Sequence, residues 1–237
     1  MTAIRPATSS DVDQIVAVHQ AAFESFFLTS LGPRFLTRLY RGYLAHPSGL
    51  VLVATERSTV SGIDGASQGR VDGDQIAGFV AGTTEPEAFY GWLRRSQGVR
   101  LGLAAAPAFA VRPVTVGRRV VAAVRYRGES PQHVAGAALL ASLAVDPAVS
   151  GRGLGGRLVE AFVTGAHEAG HDLTYCSTDA ADNDRVLAFY RRLGFREAER
   201  IRRSGGREMA ILIRDHAAAP TGEEAGRPPV AAPASDR

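Results

Sequence analysis

The sequence predicts an α/β fold built on a mixed sheet, with residues 1–214 forming one domain. Strand-like apolar runs alternate with stretches of helical periodicity, a pattern that is typical of α/β proteins. Hydrophobic residues make up 45% of the 237 residues and charged residues 22%, a balance that suits an ordinary core in water. The tail over residues 215–237 is rich in Ala, Pro and Gly and is predicted to be disordered.

The first elements follow from their periodicity. "AIRPAT" is a short extended start, and "SSDVDQIVAVHQAAF" is predicted to be a helix because its apolar side chains fall on one stripe. A second helix, "LGPRFLTRLYRGYLAHP", follows the break at Gly32 and Pro33, and its aromatic residues are expected to pack in the core. "GLVLVATE" and "QIAGFVAGT" are strand-like runs, joined by a Gly, Ser and Asp-rich loop over residues 57–74.

Residues 84–134 are predicted to form a helical, arginine-rich insertion, broken at Pro107 and Pro113. Residues 88–128 contain no acidic residue, whereas arginine recurs along them. Helices of this composition pack their apolar face on the domain or on a second subunit, or lie on an anionic membrane surface. Peripheral membrane contact through residues 88–128 and a homodimer are both retained as hypotheses.

The second half of the chain returns to a regular alternation. The strand "AALLASLAV" leads into a glycine-rich loop and the helix "GRLVEAFVTGAHEAG". The strand "DLTYCST", the helix "DNDRVLAFYRRLG" and a last strand, "GREMAILIRD", follow. Because binding residues in such folds lie at the ends of strands, the loop after the first of these strands is the leading candidate for a site.

That loop, "DPAVSGRGLGGRL" over residues 146–158, has the composition of an anion site. It leaves a strand and enters a helix, so its backbone N–H groups converge on the positive end of a helix dipole. Its glycines remove side chains that would hold a phosphate away from the backbone, and Arg152 and Arg157 add positive charge.

Known types of strand-to-helix loop have distinct sequence requirements. A Walker loop ends in Gly-Lys-Ser/Thr, and the chain contains no lysine. A Rossmann fingerprint follows the first strand of its sheet, whereas this loop lies two-thirds of the way along the chain. A plain strand-to-helix turn needs fewer glycines, and it remains open at this point.

The segment "DNDRVLAFYRRLGF", residues 182–195, follows the glycine loop at the spacing of one helix and one strand. With it, the chain resembles the GNAT superfamily of acyl-CoA-dependent N-acetyltransferases. The family's pyrophosphate loop has the form Gln/Arg-x-x-Gly-x-Gly/Ala, and its next helix carries Asn, then Tyr seven residues later, then Gly-Phe. Ser150 departs from this form, because it stands where the family has Gln or Arg. The resemblance implies a GNAT-like mixed, mostly antiparallel central sheet flanked by helices, with the helical insertion between its third and fourth strands.

The resemblance also implies acetyl-CoA as co-substrate and two sets of binding residues. The pyrophosphate would lie on loop residues Gly151, Arg152, Gly153, Leu154, Gly155 and Gly156. The pantetheine arm would enter where the fourth strand splays from the fifth, along Leu143, Ala144 and Val145.

Three of these residues receive chemical roles from the resemblance. The Val145 N–H would meet the acetyl carbonyl oxygen, and Tyr190 would protonate the departing thiolate as general acid. Asn183 would hold the pantetheine or orient the fifth strand. Asn183 and Tyr190 lie two helical turns apart and therefore point to one face of their helix.

The proton acceptor for the amine is the group that the sequence supplies least clearly. The fourth strand offers only Ser142, so the proton is expected to reach a carboxylate through water. The carboxylates considered are Asp179, Asp182 and Glu24, and Asp179 is retained as the candidate base. His133 lies in a loop and is interpreted as a surface residue.

These residues predict an N-acetyltransferase that moves an acetyl group from acetyl-CoA to a primary amine by direct attack. The expected acceptor is a small molecule such as an amino sugar. The alternative is a non-catalytic acyl-CoA-binding sensor or partner-docking module of the same fold. The absence of a base on the fourth strand and the presence of Ser150 favour that alternative.

The composition limits which binding partners and which cellular compartment are expected. The single cysteine, Cys176, excludes a disulfide within the chain and a CxxC metal site, and no metal is expected. Basic residues number 27 and acidic residues 24, and the arginines lack interleaved aromatics, so no nucleic-acid partner is expected. The N-terminus has no apolar signal-peptide core and no run is long enough to span a membrane, which predicts a cytoplasmic protein.

Overall fold

The computed structural model describes residues 2–24, 26–56, 75–111, 134–202 and 206–217. The predicted loop over residues 57–74, the later part of the arginine-rich segment and the tail from residue 218 onward lie outside the described residues. Predictions that fall on those parts, including the surface position of His133, lie outside them as well and stay predictions.

Seven strands form one mixed sheet in the described part of the chain. Only β4 and β5 run parallel to each other, and every other neighbouring pair is antiparallel. The order across the sheet is β1-β2-β3-β4-β5-β7-β6, so the predicted mostly antiparallel sheet is confirmed. The strands are β1 Thr2–Pro6, β2 Gly49–Glu56, β3 Gln75–Thr83, β4 Ala138–Val145, β5 Leu173–Asp179, β6 Arg196–Arg202 and β7 Glu208–Asp215.

Helices cover both faces of this sheet, and most of them begin and end close to the predicted positions. Gly32 precedes the second long helix and Gly170 and Gly194 follow the last two, as expected for residues that stop or start helices. The helices are α1 Val12–Ala22, α2 Phe27–Ser30, α3 Pro33–Ala45, α4 Pro86–Trp92, α5 Gly98–Val111, α6 Leu154–Glu168 and α7 Asp184–Arg192.

Three apolar clusters hold the layers together in the described residues, and the two larger ones lie on opposite faces of the sheet. On one face α6 and α7 pack on the sheet through residues such as Leu158 and Phe162, both fully buried. On the other face α1 and α3 pack through Ile15 and Tyr40 against Phe79 of β3, and all three are fully buried. The sheet is therefore covered by helices on both sides, and its strand ends remain as places for a site.

Two local expectations from the sequence are wrong. β6, with the sequence "REAERIR", was not predicted, because its charged residues give no apolar alternation; it is an edge strand, and its pairing with β7 comes from the backbone. The predicted break at Pro107 is not seen, since α5 runs from Gly98 to Val111, and a proline near the end of a helix removes only one late hydrogen bond. The interruption lies earlier, at a π-helical turn over Leu93–Gln97.

Candidate active site

β4 and β5 separate after their first residues. Parallel pairing joins them at Ala138 and Leu139 of β4, which face Thr174 and Tyr175 of β5, and the register of these two fully described strands ends there. β4 continues to Val145 along β3, and β5 continues along β7. The two strands therefore leave a gap between them toward their carboxyl ends.

The edge of β4 that borders this gap carries backbone N–H groups. The N–H of Asp146 donates to the carbonyl of Ala77 on the β3 side, at 2.8 Å. Because successive N–H groups of a strand point in opposite directions, those of Val145 and Leu143 point toward the gap. A carbonyl oxygen that enters the gap would meet these donors.

A bulge divides β4 just before this edge. The register with β3 shifts between Leu140 and Ser142, which leaves Ala141 as the extra, exposed residue. Beyond the bulge the side chains alternate between the two faces: Leu143 packs on the α6 side, and Ser142 lies on the opposite face, near Tyr40 of α3. The bulge thus places a hydroxyl of β4 on the side of the sheet that α1 and α3 cover.

The predicted glycine loop joins β4 to α6 and presents bare backbone at the helix start. Gly151 and Gly153 have φ of 85° and 72°, in the left-handed region that favours glycine. Gly153 is the N-cap residue of α6, and no side chain caps the helix. The N–H groups of Leu154, Gly155 and Gly156 have no acceptor within the helix, so they are directed, with the helix dipole, at any anion bound there.

The first part of the loop is held by its own side chains. The Asp146 carboxylate accepts a hydrogen bond from the Ala148 N–H at 2.9 Å. The Ser150 hydroxyl donates to the Pro147 carbonyl at 3.0 Å. Ser150, the departure from the family's loop, therefore stabilises the turn instead of reaching out of it.

Both arginines of the loop contact protein groups. Arg152 is 67% exposed and its guanidinium lies 3.5 Å from the Glu56 carboxylate. Arg157 donates to the carbonyl of Thr2 at 3.1 Å. Because an exposed ion pair contributes little to stability, replacing Glu56 by a phosphate at Arg152 costs little free energy.

Asn183 connects the end of β5 to the start of α7. Its side-chain amide donates to the Thr178 hydroxyl at 2.8 Å and to the Asp179 carbonyl at 2.9 Å. Its own carbonyl accepts the N–H groups of Val186 and Leu187, the first bonds of the helix. Of the two roles predicted for Asn183, this arrangement favours orienting the fifth strand.

Tyr190 lies in the last turn of α7 and is 7% exposed. Its ring packs edge-on against Phe195, and its side chain lies in the same core cluster as Cys176 of β5. Burial, together with the neighbouring Cys176, raises the pKa of Tyr190 well above its ordinary value. Tyr190 therefore keeps its proton at neutral pH, as a proton donor must.

The three carboxylates considered as the base are either paired with an arginine or exposed to solvent. The Arg207 guanidinium binds both carboxylate oxygens of Asp179, and this hydrogen-bonded pairing raises the pKa of Arg207. The Asp179 carboxylate is thus turned to Arg207, and its role as the base stays a prediction. Asp182 and Glu24 are both exposed.

The described residues offer neither a metal site nor a membrane span. They contain no group of three or more His, Cys, Asp or Glu side chains placed to hold a metal ion. None of the helices in the same ranges combines the length and the apolarity that crossing a bilayer requires.

Comparison with known proteins places this arrangement in a family. The sequence profile described as Acetyltransferase (GNAT) domain matches residues 51–197, which include most of β2, all of β3 to β5, the glycine loop and α7. The chain belongs to the GNAT acetyltransferase family. No curated protein sequence matches this GNAT chain.

Solved structures share the fold of this GNAT protein at low sequence identity. The structure of SsHAT is 22% identical, with a TM-score of 0.59, and the match covers 92% of this chain and 99% of that one. The ribosomal-protein-S18-alanine N-acetyltransferase from Escherichia coli is 15% identical, with a TM-score of 0.53 and coverage of 94% and 99%. YncA from Salmonella typhimurium, solved with acetyl-CoA, is 12% identical, with a TM-score of 0.54 and coverage of 98% and 99%.

In this GNAT acetyltransferase the glycine loop, β4 and α7 approach one another at Gly155. A side chain built on Gly155 of the loop would lie 3.5 Å from Phe189 of α7 and 3.7 Å from Val145 of β4. The loop, the β4 edge and the helix that carries Asn183 and Tyr190 are thus neighbours. Asp179 lies beside Asn183 along the chain, but its carboxylate is turned to Arg207.

Three polar residues of the chain were missed by sequence reasoning. Arg207 is one, and it could not be assigned because its pairing with Asp179 joins distant parts of the chain. His19 and Tyr40 are the others: they are 2% and 0% exposed, and His19 Nδ1 lies 2.6 Å from the Tyr40 hydroxyl. The only signal for this pair was a polar residue on a helix stripe assigned to the core.

Proposed function

We propose that this protein transfers an acetyl group from acetyl-CoA to the primary amine of a small molecule by direct attack. The observation that carries the proposal is the gap between β4 and β5, which opens beyond Leu139 and ends at the uncapped start of α6. A thioester carried on a phosphate-bearing arm fits such a gap, because backbone donors line one wall and an anion site closes the end.

Acetyl-CoA would lie with its pyrophosphate on the glycine loop. The N–H groups at the start of α6 supply hydrogen bonds, and Arg152 supplies an exposed positive charge. Gly151 and Gly153 keep their φ values only as glycines, which holds the loop backbone open to the phosphates. The structural likeness to YncA, which was solved with acetyl-CoA, supports this choice of co-substrate.

The groups around the acetyl carbon match the needs of acyl transfer. The Val145 N–H stabilises the negative charge that develops on the carbonyl oxygen as the amine attacks. Tyr190, which keeps its proton, supplies the proton that the leaving thiolate takes up when the C–S bond breaks. Asn183 fixes the end of β5 relative to α7 and so holds Tyr190 in place.

The acceptor amine would approach from the side of the sheet that α1 and α3 cover. Leu143 and Val145 direct their side chains to the α6 side, which leaves the α1 side for the second substrate. Aromatic rings, including Phe23 and the 47% exposed Phe26, follow α1 there. A small amine with an apolar or sugar face, such as an amino sugar, suits these rings.

The proposal is tested by binding and turnover on the full chain. Calorimetry with acetyl-CoA should show binding at one site, and free thiol should be released in proportion to the acetylated product when small amines, amino sugars first, are added as a panel. Tight acetyl-CoA binding with no acetylation of any amine would instead establish the sensor or docking module. A folded protein that does not bind acetyl-CoA would overturn both.

A further inference from the structure

The outer face of α5 carries two bulky apolar side chains. Val99 is 80% exposed and Leu103 is 70% exposed, and the two lie one helical turn apart. Among the described residues only one other large apolar side chain, Phe26, is exposed. Because single apolar side chains occur on any protein surface, the pairing of Val99 with Leu103 is the informative observation.

The inner face of α5 already packs on the domain. Ala104 and Ala105 are buried, and Leu101 packs on the same apolar cluster as α1 and α3. A surface helix usually directs its aliphatic side chains to the core and polar ones to water. Over residues 98–106, α5 instead presents Val99 and Leu103 to the outside, so their exposure is not needed to hold the helix in place.

The space around these two side chains is open. Gly98 and Gly102 precede Val99 and Leu103 in the chain, and both glycines are exposed. A Cβ built on either glycine would meet no described atom within 4 Å. Val99 and Leu103 therefore project from a stretch of helix that a large flat partner can approach.

Positive charge flanks the apolar pair without a balancing carboxylate. Arg95 and Arg100 are exposed, and residues 88–111 contain no acidic residue. Among the described residues, no carboxylate lies within ion-pair distance of either arginine. A Cβ built on Gly91 would lie 3.4 Å from both terminal nitrogens of Arg95, so this guanidinium lies over bare backbone of α4.

We propose that Arg95, Val99, Arg100 and Leu103, here called the α5 surface, bind anionic phospholipid membranes. Aliphatic side chains flanked by arginines match the boundary between acyl chains and anionic headgroups. Val99 and Leu103 enter that boundary, and the guanidinium groups lie at the level of the lipid phosphates. The helix lies along the membrane, since none of the described helices can cross a bilayer.

A second copy of the chain fits the α5 surface less well than a membrane does. In a symmetric dimer each copy presents the same patch to the other. Arg95 and Arg100 of both copies would then meet, and residues 88–111 offer no acidic side chain to compensate the repulsion. An anionic membrane supplies the missing negative charge together with an apolar phase for Val99 and Leu103.

Membrane binding goes beyond the proposed acetyl transfer and does not depend on it. Leu101 joins α5 to the cluster of α1 and α3, so the α5 surface lies on the side of the sheet from which the acceptor amine is proposed to approach. Lipid binding needs neither acetyl-CoA nor an acceptor. It is therefore measured on the full chain without any substrate.

The first experiment is co-sedimentation with vesicles. The full chain should bind phosphatidylcholine vesicles that contain 30% phosphatidylglycerol at low salt. Binding should be at least about tenfold weaker on pure phosphatidylcholine or in 0.5 M NaCl, because the attraction to the anionic headgroups is then absent or screened. Equal binding to both vesicle types, or no binding to either, would overturn the proposal.

Paired substitutions test whether the α5 surface is the part that binds. Arg95→Gln with Arg100→Gln should lower the partition coefficient about 10- to 30-fold, and Val99→Ser with Leu103→Ser should lower it about tenfold. The matched control, Arg200→Gln with Arg202→Gln, removes the same charge from exposed arginines of β6 and should change it less than twofold. A loss in the control as large as that of the α5 variants would contradict the assigned surface.

A fluorescent label tests whether the apolar pair enters the lipid. Val99→Cys can be labelled at one position, because the native Cys176 is buried. An environment-sensitive dye at residue 99 should shift to the blue when vesicles with phosphatidylglycerol are added. The same dye on Thr164→Cys, at an exposed position of α6 on the opposite face, should not shift. A shift at both positions or at neither would count against the orientation proposed here.

The oligomeric state decides between a membrane and a second copy. The wild type should be a monomer in light scattering without lipid. A lipid-free dimer that Leu103→Asp splits would overturn membrane binding and assign the α5 surface to a second copy.

Discussion

Tyr190 of α7 lies beside Cys176 of β5, so the proposed proton donor neighbours the only cysteine in the sequence. This contact crosses from the last turn of the helix to the middle of the strand. Burial at this contact raises the pKa of the phenol and keeps it protonated.

The first prediction concerns proton donation to the leaving thiolate. Tyr190→Phe should lower kcat by about 10- to 100-fold, because the thiolate then leaves without an acid, while the affinity for acetyl-CoA changes by less than about threefold. Assays of thiol release measure kcat, and calorimetry measures the affinity for acetyl-CoA. An equal fall in affinity would mean that Tyr190 serves binding alone.

The second prediction concerns the reactivity of Cys176. Its side chain is 2% exposed, and burial raises the pKa of the thiol to about 12, so only about one molecule in 10⁵ carries the thiolate at pH 7. Iodoacetamide should therefore leave the native protein unmodified over hours, and mass spectrometry should show one added label per chain in guanidinium chloride. Rapid labelling of the folded protein would contradict the burial of the Tyr190 contact.

The third prediction concerns the backbone of the glycine loop. Gly153→Ala places a side chain at a φ of 72°, which costs about 1–2 kcal/mol and shifts the loop away from the phosphates. Acetyl-CoA affinity should fall about tenfold or more. Gly170→Ala is the matched control: its φ is 87° with open space around it, so it should lose similar stability but no affinity.

The fourth prediction concerns stability in acid. The pKa of His19 is lowered from 6.5 to about 4 by burial, so the unfolded chain binds a proton at this residue more readily than the folded protein. Its contribution to stability is complete above pH 6.5 and is lost as the pH falls toward 4, by about 2–3 kcal/mol. Urea unfolding of wild type and His19→Gln at pH 7 and pH 5 should show a smaller loss in the variant; equal losses would refute the shift.

The fifth prediction concerns packing beneath the sheet. A Cβ on Gly82 of β3 would lie 2.0 Å from the Leu139 carbonyl oxygen and 2.7 Å from the Phe162 ring. Gly82→Ala should therefore destabilise the protein by about 3 kcal/mol or more. Gly102→Ala, in α5 with open space around the new methyl group, should be neutral or stabilising in the same denaturation assay.

The sequence was sufficient to predict features that depend on residues close together in the chain. The glycine loop, the strand before it and the helix with Asn183 and Tyr190 are each recognisable within about a dozen residues, and the fold and the family follow from their order. The roles assigned to single residues there remain predictions. Gly151 and Gly153 show why such a loop can be predicted from the sequence, because their left-handed φ values favour glycine over other residues.

Contacts between distant segments could not be predicted in the same way. Tyr40 lies on α3 and His19 on α1, and only the folded protein brings the Tyr40 hydroxyl within 2.6 Å of His19 Nδ1. The pairing of Arg207 with Asp179 is equally remote in the chain. β6 was not predicted for a different reason. An edge strand can be held by backbone hydrogen bonds to its neighbour, here β7, so its sequence need not alternate between apolar and polar residues.

The composition of β6 affects how molecules of this protein meet one another. Arg196, Glu197, Glu199, Arg200 and Arg202 occupy most of that outer strand, and Glu197 and Glu208 pair with Arg200 and Arg202. A second chain that extended the sheet at β6 would have to pair its backbone beside these charged side chains and displace the water that hydrates them. Extension of the sheet by a second chain is therefore disfavoured at this edge.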